Sequence, residues 1–369
     1  SRLEKSAANH CWNTHMLTCL RGRPRLAVLF LIALLGVTFV AVSRVSAEGP
    51  APRSFDVREA ANAAPPPGEV RKVSVGIYVN QVKSIEMIQN EYVVDFWVWF
   101  RFKSDKHKPE AEQYKPLDNF EIIGGIIEDR IADQMDELGN GDTYAAVRII
   151  ARIKKYFDVT RFPLDDHVLT IELEDTKNEE HLTRFEADTV NSQVDPAVRT
   201  PGWNLTASRA LVKRHTYSTN YGDSRLPPGK ETSYSRFVFE MELQRPGLGY
   251  LFKLFWSIYL SVIIGFIALL IKPTDLDPRF GLGVGAIFAA AASSYVVNAA
   301  LPPTNLLTLS DKVNMISVGF IFLSLFESIL SLRFYYRDKV QAAKWLDRIC
   351  FWALMAGYGL ANYIAVATA

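Results

Sequence analysis

Several residue types that catalysts use are present, but not at catalytic spacings. His107, His167, His181 and His215 fall at no interval of the H-x-x-x-H kind that sets two imidazoles on one metal ion. No G-x-S-x-G nucleophile elbow occurs, and the glycines at 281, 283 and 285 follow no strand and do not complete G-x-G-x-x-G. The acidic run "EDTKNEE" (174–180) offers oxygen ligands for weak calcium binding, although a solvated face accounts for it more simply. The chain therefore does not read as an enzyme, and no cofactor or metal is expected. Its other chemistry lies in "FGLGVGAIFAAAASSYVV" (280–297) and just beyond. Gly281, Gly285, Phe288, Ala292, Tyr295 and Ala299 recur in steps of four and three, so a helix would carry them as one stripe. Small residues interrupted by two aromatic steps could line a water path narrowed by hydrophobic rings. They would equally serve close helix–helix packing. Glu327, inside another apolar run, is costly in lipid and must face neighbouring helices or water.

The chain around these residues comes in two textures. The 369 residues allow two domains, and a formal net charge of +1 gives no basic field for nucleic acid. "RGRPR", the apolar "LAVLFLIALLGVTFVAV" and Val45-Ser46-Ala47 read as a signal peptide, so residues 1–47 are assigned to it and to residues upstream. An uncleaved anchor is the alternative. Residues 48–70, rich in proline and alanine, read as a linker. The cysteines are Cys11, Cys19 and Cys350, so residues 71–246 hold no disulfide and no thiolate metal site.

Between 71 and 246 the runs "KVSVGIYVNQV", "EYVVDFWVWFRF", "TYAAVRIIARIKKYF", "HVLTIELE", "RALVKRHTYS" and "SRFVFEMELQ" are rich in β-branched and aromatic residues, and many alternate apolar with polar. Turn clusters such as "GNGD" and "LPPGK" separate some of them, which predicts an antiparallel β-sandwich. Residues 247–369 are expected to form an all-α domain with four membrane spans at about 250–271, 280–301, 313–332 and 349–369. The connection 333–348 carries Arg333, Arg337, Lys339, Lys344 and Arg348, whereas 302–312 carries only Lys312. The positive-inside rule then puts 333–348 in the cytoplasm. Four spans leave the sandwich and the C-terminus on the other side, the side to which a signal peptide exports.

Three motifs fall in order along this frame: Phe162-Pro163-Leu164-Asp165, then Arg245-Pro246 before the first span, then Arg279 through Gly281-Leu282-Gly283 to Leu301-Pro302. In that order, from about residue 71 to 369, the chain resembles the pentameric ligand-gated ion channels. No cysteine flanks the Phe-Pro-Leu-Asp loop and the third connection is short, as in the bacterial branch. The resemblance implies an immunoglobulin-like sandwich in the periplasm and a homopentamer whose four-helix domains surround a pore in the inner membrane. A small-molecule agonist at subunit interfaces would open the pore to inorganic ions. On this reading the stripe faces the pore axis, and five Phe288 and five Tyr295 side chains make two rings. Asp275 and Asp277 lie at the cytoplasmic mouth, with Arg279 pointing away from the axis. Rings of these carboxylates make cation selectivity the expectation; Pro278, standing where cation-selective members usually carry a carboxylate, makes anion selectivity the alternative.

The resemblance also assigns a ligand site. Trp97 matches an aromatic on the complementary face, Tyr217 and Tyr234 bracket the capping loop, and Tyr221 lies within it. Glu174 offers a counter-charge. Thr176 stands where many members have an aromatic, so the box is incomplete. Such a box suits an organic ammonium, at about 0.5–2 kcal/mol per cation–π contact; a proton or a divalent ion is the other candidate agonist. Phe162, Pro163 and Asp165 would couple the sandwich to Pro302 and Pro303, with Arg245 as the partner of Asp165. Trp203 in "PGWNL" is assigned a structural role. A membrane-tethered sensor that passes no current is the rival function.

Overall fold

The computed structural model describes residues 70–368 except Lys106, Asn220, Tyr221, 223–226 and 228–230. The expected signal peptide, nearly all of the linker, and Tyr221 lie outside the described residues. The chain divides into two units. A sandwich unit runs up to Trp256 and also includes Tyr295–Ser310; a helical unit comprises Ser257–Ser294 and Asp311–Ala369.

Among its described residues the sandwich unit has ten strands: β1 (Arg71–Glu86), β2 (Glu91–Lys103), β3 (Phe120–Ile122), β4 (Gly125–Glu137), β5 (Asp142–Lys154), β6 (Asp166–Asp175), β7 (Thr183–Ala187), β8 (Gln193–Val194), β9 (Asn204–Tyr217) and β10 (Thr232–Gln244). A short helical turn, α1 (Pro116–Asn119), precedes β3. One sheet runs β4-β5-β2-β1-β7 with β8 beside β1, and the other runs β3-β6-β10-β9. Pairing is antiparallel except where β7 and β8 lie parallel to β1.

Period-two alternation explains why the sheets close on each other. Val73, Val75, Ile77 and Val79 of β1, and Val94, Phe96, Val98 and Phe100 of β2, are buried. They join Leu169, Ile171 and Leu173 of β6 and Phe237, Phe239, Met241 and Leu243 of β10 in one hydrophobic cluster. Tyr92 of β2 donates across this core to the carbonyl of Thr170 at 2.7 Å, and burial pushes its phenol pKa up.

All six expected runs are strands, but β4 escaped the sequence reading. Its "GIIEDRIADQMDE" is exposed from Glu128 onward and pairs with β5 through two register shifts, so no alternation marks it.

Four helices follow: α2 (Gly247–Ile267), α3 (Leu276–Asn298), α4 (Leu309–Tyr335) and α5 (Val340–Ala367), each long and apolar enough to cross a membrane. The expected connection 333–348 is mostly helix. Its charged residues extend α4 and α5 instead of breaking them, because Lys and Arg are good helix formers and Asp347 is buried with partners.

The closely spaced glycines of α3 have different surroundings. A Cβ on Gly283 would collide with the Leu325 side chain of α4, whereas one on Gly281 or Gly285 would meet nothing within 4 Å. Close packing and an open stripe thus occupy different faces of one helix. Gly283→Ala should therefore lower the melting temperature of the purified chain in detergent. Gly281→Ala and Gly285→Ala should leave it unchanged or raise it, since each gains about 1 kcal/mol of helix propensity. Three equal responses would contradict this difference.

Candidate functional site

Three clusters gather the residues singled out by sequence, two of them inside the sandwich unit. The first lies on one face of the β3-β6-β10-β9 sheet. Glu121 stands opposite Glu174, Arg236 opposite Lys213, and Tyr234 opposite His215. Glu174 is buried, and both its oxygens are engaged: Arg236 Nε donates to one at 2.6 Å and the Tyr217 hydroxyl to the other at 2.9 Å. Arg236 also donates from Nη1 to Glu172 at 2.6 Å and from Nη2 to the Tyr217 oxygen at 3.1 Å.

The aromatic wall is Tyr217 with His215 at 4.5 Å and Tyr234 at 5.8 Å between ring centroids. Burial, helped by Glu174, pushes the Tyr217 phenol up to about 12. Burial and the Arg236 charge hold His215 below the usual histidine range, while burial and Glu174 raise Glu121. Arg236 was not anticipated as a member of this cluster. Its two-residue offset from Tyr234 on a strand was the available signal.

Two further members of the expected box, Trp97 and Thr176, lie elsewhere. Trp97 is on β2 in the other sheet, opposite Tyr78 and Arg148. Thr176 is exposed and tied to the end of α1, its amide at 2.7 Å and its hydroxyl at 2.9 Å from the Asn119 carbonyl.

The second cluster centres on Asp165, which is 1% exposed. Arg245 donates to it from Nε at 3.0 Å and Nη2 at 3.5 Å, and His167 Nε2 lies 2.8 Å from its Oδ2. The guanidinium sits 4.0 Å over the Trp203 ring, 5.0 Å over Phe162 and 5.1 Å over Tyr250. It also reaches the Met87 sulfur at 3.1 Å. Burial alone would raise the Asp165 pKa, but the His167 hydrogen bond and the Arg245 charge prevail and hold it below the usual carboxylate range.

Phe162 precedes Pro163 through a cis peptide bond. The backbone of this loop accepts from Leu309 N at Thr160 O (2.8 Å) and from Ser310 N at Phe162 O (3.2 Å). Pro302 is buried and Pro303 exposed, and Leu301 joins the sandwich core. Leu309 and Ser310, which the sequence reading did not single out, thus donate backbone bonds to the loop. Trp203, assigned to structure, is buried against both His167 and Arg245.

The third cluster lies in the helical unit. Arg279 is fully buried and donates to Glu327 at 3.1 Å, Asp347 at 2.6 Å, Ser328 at 2.9 Å and the Ile271 carbonyl at 3.3 Å. Asp275 and Asp277, just before it, are exposed. Along α3, Gly283, Ala286 and Ala290 are buried, while Gly281, Gly285, Phe288 and Ala292 are exposed. Tyr295 and Ala299 continue the exposed stripe, with Phe288 at 71% and Tyr295 at 77% exposure. Ala299 lies just past the end of α3, its amide still bonded to the Tyr295 carbonyl at 3.0 Å.

No protein-family model matches the chain, and no curated protein matches it. The geometry therefore carries the functional argument.

The Asp165 shift has a definite sign. A carboxylate with a folded pKa below its unfolded value of about 3.9 stabilises the fold fully above that pH and loses the contribution as pH falls through the depressed value. Acid titration of the melting temperature should show that loss in the wild type and a shallower one in Asp165→Asn. Parallel curves would refute it.

Proposed function

We propose that the chain is one subunit of a homopentameric ligand-gated ion channel of the bacterial inner membrane. Its sandwich, immunoglobulin-like, would stand in the periplasm, and its C-terminus on the same outer side. The observation that supports this most is the division of α3 into two faces. One is packed through small residues; the other exposes Gly281, Gly285, Phe288, Ala292, Tyr295 and Ala299 as a continuous stripe. A helix that faced only lipid would gain more from bulky side chains there. Around a central axis the same stripe lines a water path, wide at its glycine end and narrowed at two aromatic rings that gate by dewetting.

Selectivity follows from where the charges are used. Arg279 is buried and paired with Glu327 and Asp347, so it adds no positive ring beside the exposed Asp275 and Asp277; the exposed cation nearby is Lys272, three residues before Asp275. Two rings of carboxylates favour cations. In the sandwich, a small molecule would bind between copies, with the Tyr217–Tyr234 wall on one side and Trp97 of the next copy on the other. Phe162, Pro163, Asp165 and Arg245 would pass its effect to the segment around Pro302 and Pro303. Binding energy that differs between closed and open states then shifts the gating equilibrium.

Recording from the purified chain in planar bilayers during a small-molecule screen tests the reading. Discrete current steps are expected, enlarged or made constitutive by Phe288→Ala, with a cation-selective reversal potential that weakens in Asp277→Asn. Silence in both the wild type and Phe288→Ala would overturn the channel and leave the tethered sensor.

A further inference from the structure

His167 is the one histidine among the described residues that shares a carboxylate with an arginine, and neither the expected ligand site nor the pore uses it. It stands at the start of β6, opposite Leu243, with 4% of its side chain exposed. Two aromatic rings meet it edge-on: Phe157 and Trp203, each at 5.1 Å. The charged groups that face it are Asp165 from its own segment and Arg245 from the end of β10, and Lys155 lies beyond Phe157, its Nζ 5.8 Å from that ring. Asp165 is ionised against Arg245, so a 2.8 Å contact to its Oδ2 requires the hydrogen on Nε2 of the imidazole. That leaves Nδ1 as the basic nitrogen.

We infer that His167 is a proton-binding site whose occupancy controls the Asp165–Arg245 pair. Proton uptake from water at Nδ1 forms one N–H bond, breaks none in the protein, and gives an imidazolium. A single buried carboxylate then faces two full cations where it faced one. The imidazolium strengthens its own bond to Oδ2, the oxygen that also receives the longer Arg245 Nη2 bond at 3.5 Å. Two like charges also come to share the Trp203 ring, over which the guanidinium lies at 4.0 Å. The cheapest relief is for Arg245 to loosen. Arg245 immediately precedes Pro246 and the start of α2, so the loosening acts where β10 hands over to that helix. The site stands without the channel reading, and only its consequence, a pH-dependent bias on gating, rests on that reading.

Trp203 reports the event directly, because an imidazolium at its edge quenches indole emission. The chain has 7 tryptophans, so the difference between wild type and Trp203→Phe isolates the signal. Emission of the purified full chain would be followed across a pH window from 8 down to the onset of acid unfolding. His167→Gln keeps a donor for Asp165 but cannot gain a proton. The expected result is a one-proton quenching step in the wild type, absent in both Trp203→Phe and His167→Gln, with melting temperatures at pH 8 confirming that both variants fold. A wild-type difference signal that is flat across the window, or a step that persists in His167→Gln, would overturn the proposal whether or not the chain conducts.

Discussion

Arg245 donates to Asp165 from the last position before Pro246, and the pair is buried under Trp203, Phe162 and Tyr250. Two charges taken out of water are tolerated only when their geometry is good and every remaining lone pair is used. Here His167 supplies the second donor to the carboxylate, and the aromatic faces supply the guanidinium with cation–π contacts. Removing either partner of a buried pair costs about 3–5 kcal/mol, so the two side chains fix the backbone that carries them. Five stretches meet at that point: the 156–165 loop, the start of β6, the turn at Trp203, the end of β10 and the first turn of α2. The hydrogen bonds from Leu309 and Ser310 add the segment after α3 to the same loop. The base of the sandwich is thus held by polar groups that cannot be exchanged one at a time.

Two other arginines solve the same problem differently. Arg236 satisfies Glu174 and Glu172 on one sheet face, and Arg279 satisfies Glu327 and Asp347 among the helices. In each case a planar, rigid fork meets more than one carboxylate, a task for which a lysine ammonium is poorly shaped. The consequences differ. Around Arg236, the buried carboxylate of an aromatic cluster is already neutralised within the chain, so an incoming cation would meet a closed counter-charge. Around Arg279, the start of α3 is tied by its positive end to α4 and α5. That fixes which face of α3 packs and which stays open.

Much of the fold was legible because two-residue alternation survives wherever a strand has one face in the core. β1, β2, β5, β6 and β10 all show it. β4 does not, since it is an edge strand with nothing buried along most of its length and two register shifts. The helices α4 and α5 run past the expected span limits for a related reason. Arg337 and Lys344 say where water begins, but not where hydrogen bonding stops. Of the candidate site, the Asp165–Arg245 pair and the stripe on α3 were readable, the first from its motifs and the second from helical period. Asp347 and His167 were not, because what defines them is contact with residues distant in sequence. Asp347 meets an arginine 68 positions away, and no local pattern announces that.

Asp165 and Arg245 act as one unit instead of as two separate buried groups. A double-mutant cycle measures this directly, using chemical unfolding of the full chain in detergent for wild type, Asp165→Asn, Arg245→Gln and the double variant. The predicted result is a coupling of about 1–3 kcal/mol, the double variant losing far less than the sum of the single losses. Losses that add to within about 0.5 kcal/mol would contradict it.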